Sequence, residues 1–81
     1  MPAPKDALSE NIAQIGALLT ASGHGEWKTR IDDAIAGGAT GTEILMALRW
    51  TLRQMLKQRG LRPEVKPLAK EAIAEISKRL L

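Results

Sequence analysis

The stretch Thr40-Gly41-Thr42-Glu43-Ile44-Leu45-Met46-Ala47-Leu48-Arg49-Trp50-Thr51-Leu52-Arg53-Gln54-Met55-Leu56-Lys57-Gln58-Arg59 decides the fold. It opens on a capping box. In Thr40-x-x-Glu43 the threonine hydroxyl accepts from the Glu43 backbone N–H, and the Glu43 carboxylate reaches back to the Thr40 N–H. Ala39 and Ile44 take the places of a weak hydrophobic staple. Ile44, Leu45, Leu48, Leu52, Met55 and Leu56 recur at three- and four-residue spacing, which makes one apolar face of a helix. Gly60 stands where a left-handed C-terminal cap is expected. The pattern predicts a long third helix over 41–59.

The same reading extends in both directions. Upstream, Leu8, Ile12, Ile15, Leu18 and Leu19 predict a first helix over 5–22, starting near Pro4 to Asp6, with Asp6 and Glu10 complementing its dipole. Gly16 costs about 1 kcal/mol relative to Ala inside that helix, which implies a close approach by another helix. Ser22-Gly23-His24-Gly25 is a break, with Gly23 placed to cap. Trp27, Ile31, Ala34 and Ile35 give a short second helix over 26–36 one face, and Lys28 can pair with Asp32 on the other. Trp27 anchors it, because a helix this short is not stable alone in water. Gly37-Gly38 closes it. Downstream, Pro63 and Pro67 mark residues 60–66 as a stiff connection, from which Leu61 or Val65 can tuck into the core. Pro67 suits the first position of a last helix over 67–80, with Leu68, Ala69, Ala72, Ile73, Ile76 and Leu80 on one face and Lys78 and Arg79 in its final turn. Residues 1–4 carry two prolines and no pattern, and are expected to be disordered. The expectation is a single all-α, compact four-helix domain over 1–81, with a short second helix and a long, central third helix.

Composition narrows the function classes. The chain has 81 residues, a net charge of +3 and no cysteine, so disulfides and thiolate chemistry are excluded. No apolar run reaches the ~18 residues of a membrane span. Met1-Pro2-Ala3-Pro4-Lys5 lacks the apolar segment of a signal peptide. These features predict a cytoplasmic protein with no membrane partner. Residues 1–38 carry a net charge of −2 and residues 39–81 a net charge of +5. Such asymmetry fits an anionic partner, or acidic and basic halves lying against one another within the chain or across a dimer. A chain of this size buries only roughly 60–65% of its unfolded surface. Gly16, Met46, Trp50 and Leu81 are hard to place in one small core, and a symmetric homodimer is expected.

Catalysis has little to build on. His24 is the single histidine, flanked by two glycines, with no nucleophile or carboxylate beside it in a recognisable constellation. His24, Glu26, Asp32 and Asp33 cluster in sequence but point in different directions, so no metal and no cofactor is expected. Gly37-Gly38-Ala39-Thr40-Gly41-Thr42 runs into a helix start, where free N–H groups can hold an anion. It lacks the lysine and the preceding strand of a phosphate-binding loop, and reads more simply as a tight turn and a cap.

The third helix is the suggestive element. Arg49, Arg53 and Lys57 fall on one line at i, i+4 and i+8, with Met46 and Trp50 beside it and away from the Leu/Ile stripe. Cations and an exposed indole on a rigid helix suit an acidic protein surface. Arg59, Arg62 and Lys66 extend the positive field as further anion contacts. Alternatively Trp50 is buried under a neighbour or in a dimer interface. The function expected is a non-enzymatic helical protein-interaction module, homodimeric, binding an anionic partner surface through Met46, Arg49, Trp50, Arg53 and Lys57. The second expectation is a small nucleic-acid-binding protein that uses the basic ridge 49–70. Ala34, Gly38 and Ile44 fall near the small, glycine and apolar positions of a helix-turn-helix. Gly41-Thr42-Glu43, however, offers little to read base edges, and the cations come late in the helix. A third, weaker expectation combines the Gly37–Thr42 loop with His24 as a ligand site.

Overall fold

A computed structural model of the chain describes residues 7–81. Its helices are α1 (Ala7–Ala21), α2 (Gly25–Gly37), α3 (Gly41–Leu56) and α4 (Val65–Arg79). Helix accounts for 79% of the described residues and no strand occurs among them, so the all-α, four-helix reading holds. The disorder expected at residues 1–4 and the helix start expected near Pro4 to Asp6 lie outside the described residues.

Each chain reversal has a local cause. At the end of α1, Gly23 takes φ +81°. The His24 N–H donates to the Leu19 carbonyl at 2.8 Å and the Gly23 N–H to the Thr20 carbonyl at 3.5 Å. That pair of bonds is the Schellman arrangement, and it satisfies carbonyls the helix end would leave open. Between α2 and α3, Thr40 caps as expected, its Oγ1 accepting from the Glu43 N–H at 3.1 Å. The return bond differs by one residue: Glu43 Oε2 accepts from the Ala39 N–H at 3.2 Å, not from Thr40. The staple differs too. Ala39 is exposed, and Ile44 instead lies against Gly38, so closely that a Cβ there would sit 2.3 Å from Ile44 Cγ1.

The third reversal corrects two expected boundaries. α3 ends at Leu56, with the Lys57 N–H bonded to the Gln54 carbonyl at 3.1 Å. Lys57, Gln58 and Arg59 bring no apolar side chain that would hold another turn on the core. The next apolar residues, Leu61 and Val65, are both buried, and burying them requires the chain to leave the helix. Gly60 is left-handed at φ +81°, but it bends the linker instead of capping α3. α4 begins at Val65, which makes Pro67 its third residue. A helix's first N–H groups have no partner within the helix, so the missing donor costs nothing there.

Each helix packs on its neighbours in chain order, and α4 closes the ring against α1, while α1–α3 and α2–α4 make no backbone approach. The third helix is therefore one wall of a ring and not a central element. The walls are held by the stripes read from the sequence. Leu8, Ile15 and Leu19 of α1, Trp27 and Ile31 of α2, Leu48, Leu52 and Met55 of α3, and Ala69, Ala72 and Ile76 of α4 are buried, with Leu61 and Val65. Thr51 joins them, its hydroxyl satisfied by the Ala47 carbonyl at 2.9 Å, the way a mid-helix threonine avoids an unpaired buried oxygen. Gly16, expected to be hard to place in one small core, is buried within the chain, and a side chain of α2 covers it. The Lys28 side chain crosses it, and a Cβ there would meet the lysine methylenes at 3.5 Å. The Lys28 ammonium then reaches Asp32 at 2.6 Å, the i,i+4 pair the spacing implied.

Candidate functional site

With Leu48, Leu52 and Met55 turned to the core, a 100° step per residue sends Met46, Trp50, Arg53 and Lys57 outward. Met46 is 53% and Trp50 65% exposed, so the indole is not covered by a neighbouring helix. Arg53 and Lys57 are exposed beside it and form no ion pair among the described residues. Arg49 departs from the expected ridge. It is half-buried, rotated toward α4, and its Nη1 donates to Ser77 Oγ at 3.3 Å.

Of the three further anion contacts, Arg59 on the linker and Lys66 in the first turn of α4 are exposed and form no ion pair among the described residues. Arg62 is committed to Glu64 at 3.0 Å. The hydrogen bond from the Arg62 guanidinium holds the Glu64 carboxyl below its ordinary value.

The sequence reading missed a groove of about 530 Å³ between α2 and α3. Trp27, Arg30, Asp33 and Ala34 line it from α2, and Ala47, Trp50 and Thr51 from α3. The Arg30 guanidinium lies 4.4 Å from the Trp27 ring centroid, a cation–π contact that covers the outer side of an otherwise core residue. Ala34 and Ala47 keep the gap between the helices open because neither carries a side chain long enough to fill it. The spacing of Trp27 and Arg30, three apart on one helix, was the available signal. Ile35 is a second departure. Expected on the buried face of α2, it is 40% exposed and lines a smaller apolar cavity of about 330 Å³ with Ile12, Ile44 and Leu48.

The His24 and glycine-loop combination comes apart. His24 precedes α2 and the loop follows it, and a 13-residue helix separates them by roughly 20 Å. His24 Nε2 lies 3.2 Å from the Gly60 carbonyl oxygen, placed to donate, and so ties the first turn to the third. At the loop, the Thr40 hydroxyl serves the cap and the Glu43 carboxylate already sits at the helix start. A second anion would meet that negative charge. The helix-turn-helix spacing is present as α2, a turn over 38–40, and α3, but the outward first half of α3 carries Glu43 and Met46 and no cation. Among the described residues no group of three or more His, Cys, Asp or Glu could hold a metal ion, and no helix is long and apolar enough to cross a membrane.

No protein-family model matches the chain, and no curated protein or solved structure is significantly similar to it.

Proposed function

We infer that the chain is a non-enzymatic helical interaction module of the cytoplasm, self-associating, that takes an acidic protein surface on the outward face of α3. One observation carries this reading: Trp50, 65% exposed at the lip of an apolar groove, stands beside two cations that no acid of the described chain neutralises. An aromatic anchor with flanking charge is the usual composition of an energetic centre in a protein interface. The groups are held on a helix whose opposite side is locked in the core, so their mutual geometry is preserved before binding. Arg53 and Lys57 steer an anionic partner into place, and Trp50 and the groove supply the apolar contact.

A second reading rests on the five cations Arg53, Lys57, Arg59, Lys66 and Lys70, which form no ion pair among the described residues. Spread over α3, the linker and α4, they suit phosphate contact. One experiment separates the two. A Glu/Leu amphipathic peptide and a random duplex DNA are each titrated at two salt concentrations, with tryptophan fluorescence as the readout. The interaction reading expects the peptide to bind, and Arg53→Glu to weaken it by about tenfold or more while helicity and melting temperature stay unchanged. DNA bound more tightly than the peptide, with log K falling by about 4 or more per decade of salt, would replace this reading with the second. An Arg53→Glu chain that binds the peptide as well as the native one would move the working face elsewhere.

A further inference from the structure

The acids and bases of α3 and α4 are sorted by side. The Arg49 bond to Ser77 shows which line of α4 faces α3. Lys66, Lys70 and Ser77 share that line at i, i+4 and i+11. The acids of α4 face the other way. Glu71 accepts from Asn11 of α1 at 3.3 Å, and Glu75 lines the α1–α4 cleft and pairs with Arg79. Glu64 is held by Arg62, Glu43 sits at the opposite end of α3, and Glu26 belongs to α2, across α3. Down α3, Met46, Trp50, Arg53 and Lys57 recur at i, i+4, i+7 and i+11, a straight outward stripe about 16 Å long. Its first half is apolar and its second half basic. Helices α3 and α4, joined by a short linker and packed together, run antiparallel, so Lys70 and Lys66 stand beside Arg53 and Lys57. All four are exposed, and none forms an ion pair among the described residues. Axes packed roughly 8–10 Å apart keep these like charges within about one Debye length of each other at physiological salt. An anion seated there relieves a standing repulsion.

We propose that the acidic surface taken here is a single helix of another protein, laid along the α3 stripe against the Lys66–Lys70 row. Two apolar residues of that helix cover Met46 and Trp50, and its carboxylates meet the four cations. The proposal rests on the reading above that the outward face of α3 takes an acidic protein surface, and it gives that surface its form and a second row of contacts. A helix fits because its own side chains recur with the same rise. Apolar residues at i and i+4 and carboxylates at i+7 and i+11 therefore meet the stripe in register, and the same spacing read backwards fits a helix of opposite direction. The furrow between two helices seats a third at the usual packing distance. The partner leans toward α4 and not α2, because Glu26 and Asp33 stand on the α2 side of the stripe. A nucleic-acid backbone matches the basic half alone. It is charged along its whole length and would set phosphates against Met46 and Trp50, which are 53% and 65% exposed.

The probe is an amphipathic peptide of about four turns whose one face carries Glu in its first half and Leu in its second, the order that suits its own dipole. A control of the same composition carries its Glu residues on the opposite face. Each is titrated into the full chain, with tryptophan fluorescence as the readout. The probe should shift the emission to the blue and bind about tenfold or more tighter than the control, and Trp50→Ala should remove the shift. Lys66→Glu with Lys70→Glu should weaken the probe by about tenfold or more. The melting temperature should not fall, since a carboxylate at the start of α4 suits that helix's dipole. If circular dichroism shows that the reversed pair loses helix, Lys66→Gln with Lys70→Gln makes the same test, with an expected weakening of about threefold. A control that binds as well as the probe, α4 variants that bind the probe as well as the native chain does, or duplex or single-stranded DNA bound more tightly than the probe would each overturn the proposal. If Arg53→Glu weakens the probe and the α4 variants do not, the acidic-surface reading stands and the helix across two rows falls. If none of these variants weakens it, both fail.

Discussion

Gly38→Ala tests the joint that sets α2 against α3. Gly38 has φ −81° and ψ 137°, a conformation alanine adopts freely, so the backbone itself raises no objection. Stiffening the unfolded chain would favour the variant by about 0.4–1 kcal/mol. Space decides otherwise. The new Cβ would lie 2.3 Å from Ile44 Cγ1, 2.9 Å from its N and 3.0 Å from its Cα, where carbon atoms at rest sit about 3.5–4.0 Å apart. A rotamer change at Ile44 relieves the first contact and not the other two, so the turn must open. Forced overpacking of this kind costs about 1–3 kcal/mol. An opened turn also strains the Thr40–Glu43 cap, a further ~1 kcal/mol if it is lost. The net expectation is a loss of about 1–3 kcal/mol, which in a domain of this size lowers the melting temperature by roughly 5–20 °C. Urea and thermal unfolding followed by circular dichroism at the helix band measure it. Gly37→Ala is the control, because nothing lies within 4 Å of a Cβ there. If Gly38→Ala melts with or above the native chain while Gly37→Ala behaves the same way, the close approach of Ile44 is not what holds this turn.

Gly16→Ala should stabilise by roughly 0.5–1 kcal/mol, since helix propensity favours alanine and the added methyl meets only the flexible Lys28 chain at van der Waals distance; a drop in urea midpoint would mean the helices are closer than described. Thr40→Ala should cost about 1 kcal/mol by leaving the Glu43 N–H without its side-chain acceptor, read from the same unfolding curves. An NMR acid titration should find the Glu64 carboxyl below the ordinary glutamate value, and Arg62→Ala should return it toward that value, because the Arg62 hydrogen bond is the first cause of the shift; an unchanged titration would show that the pair does not persist in solution.

Local patterns were enough for everything that depends on one helix at a time. Leu8, Ile15 and Leu19, Leu48, Leu52 and Met55, and Ala69, Ala72 and Ile76 could be assigned to the core from spacing, because a helix sorts its side chains by a fixed angle whatever it packs against. The Thr40 cap and the left-handed glycines were legible for the same reason, being set by atoms within a few residues. The angle of Arg53 and Lys57 away from the stripe placed them outside, but it left open whether a neighbouring helix covers Trp50, and only the packing leaves that indole exposed. What the stripe leaves open is which neighbour covers the flanks. Arg49 and Arg53 differ by one turn, yet α4 claims the first through Ser77 and leaves the second free. Arg62 finds Glu64 where the linker bends. The end of α3 depended on whether Leu61 and Val65 were worth burying, which is a property of the whole core. The groove between Trp27 and Trp50 belongs to two helices at once, and its width follows from Ala34 and Ala47 facing each other across a packing distance that no single helix encodes. Ring closure of α4 on α1 likewise took α3 out of the centre, because the apolar stripes are similar in width and no helix carries the second stripe that burial on all sides would need.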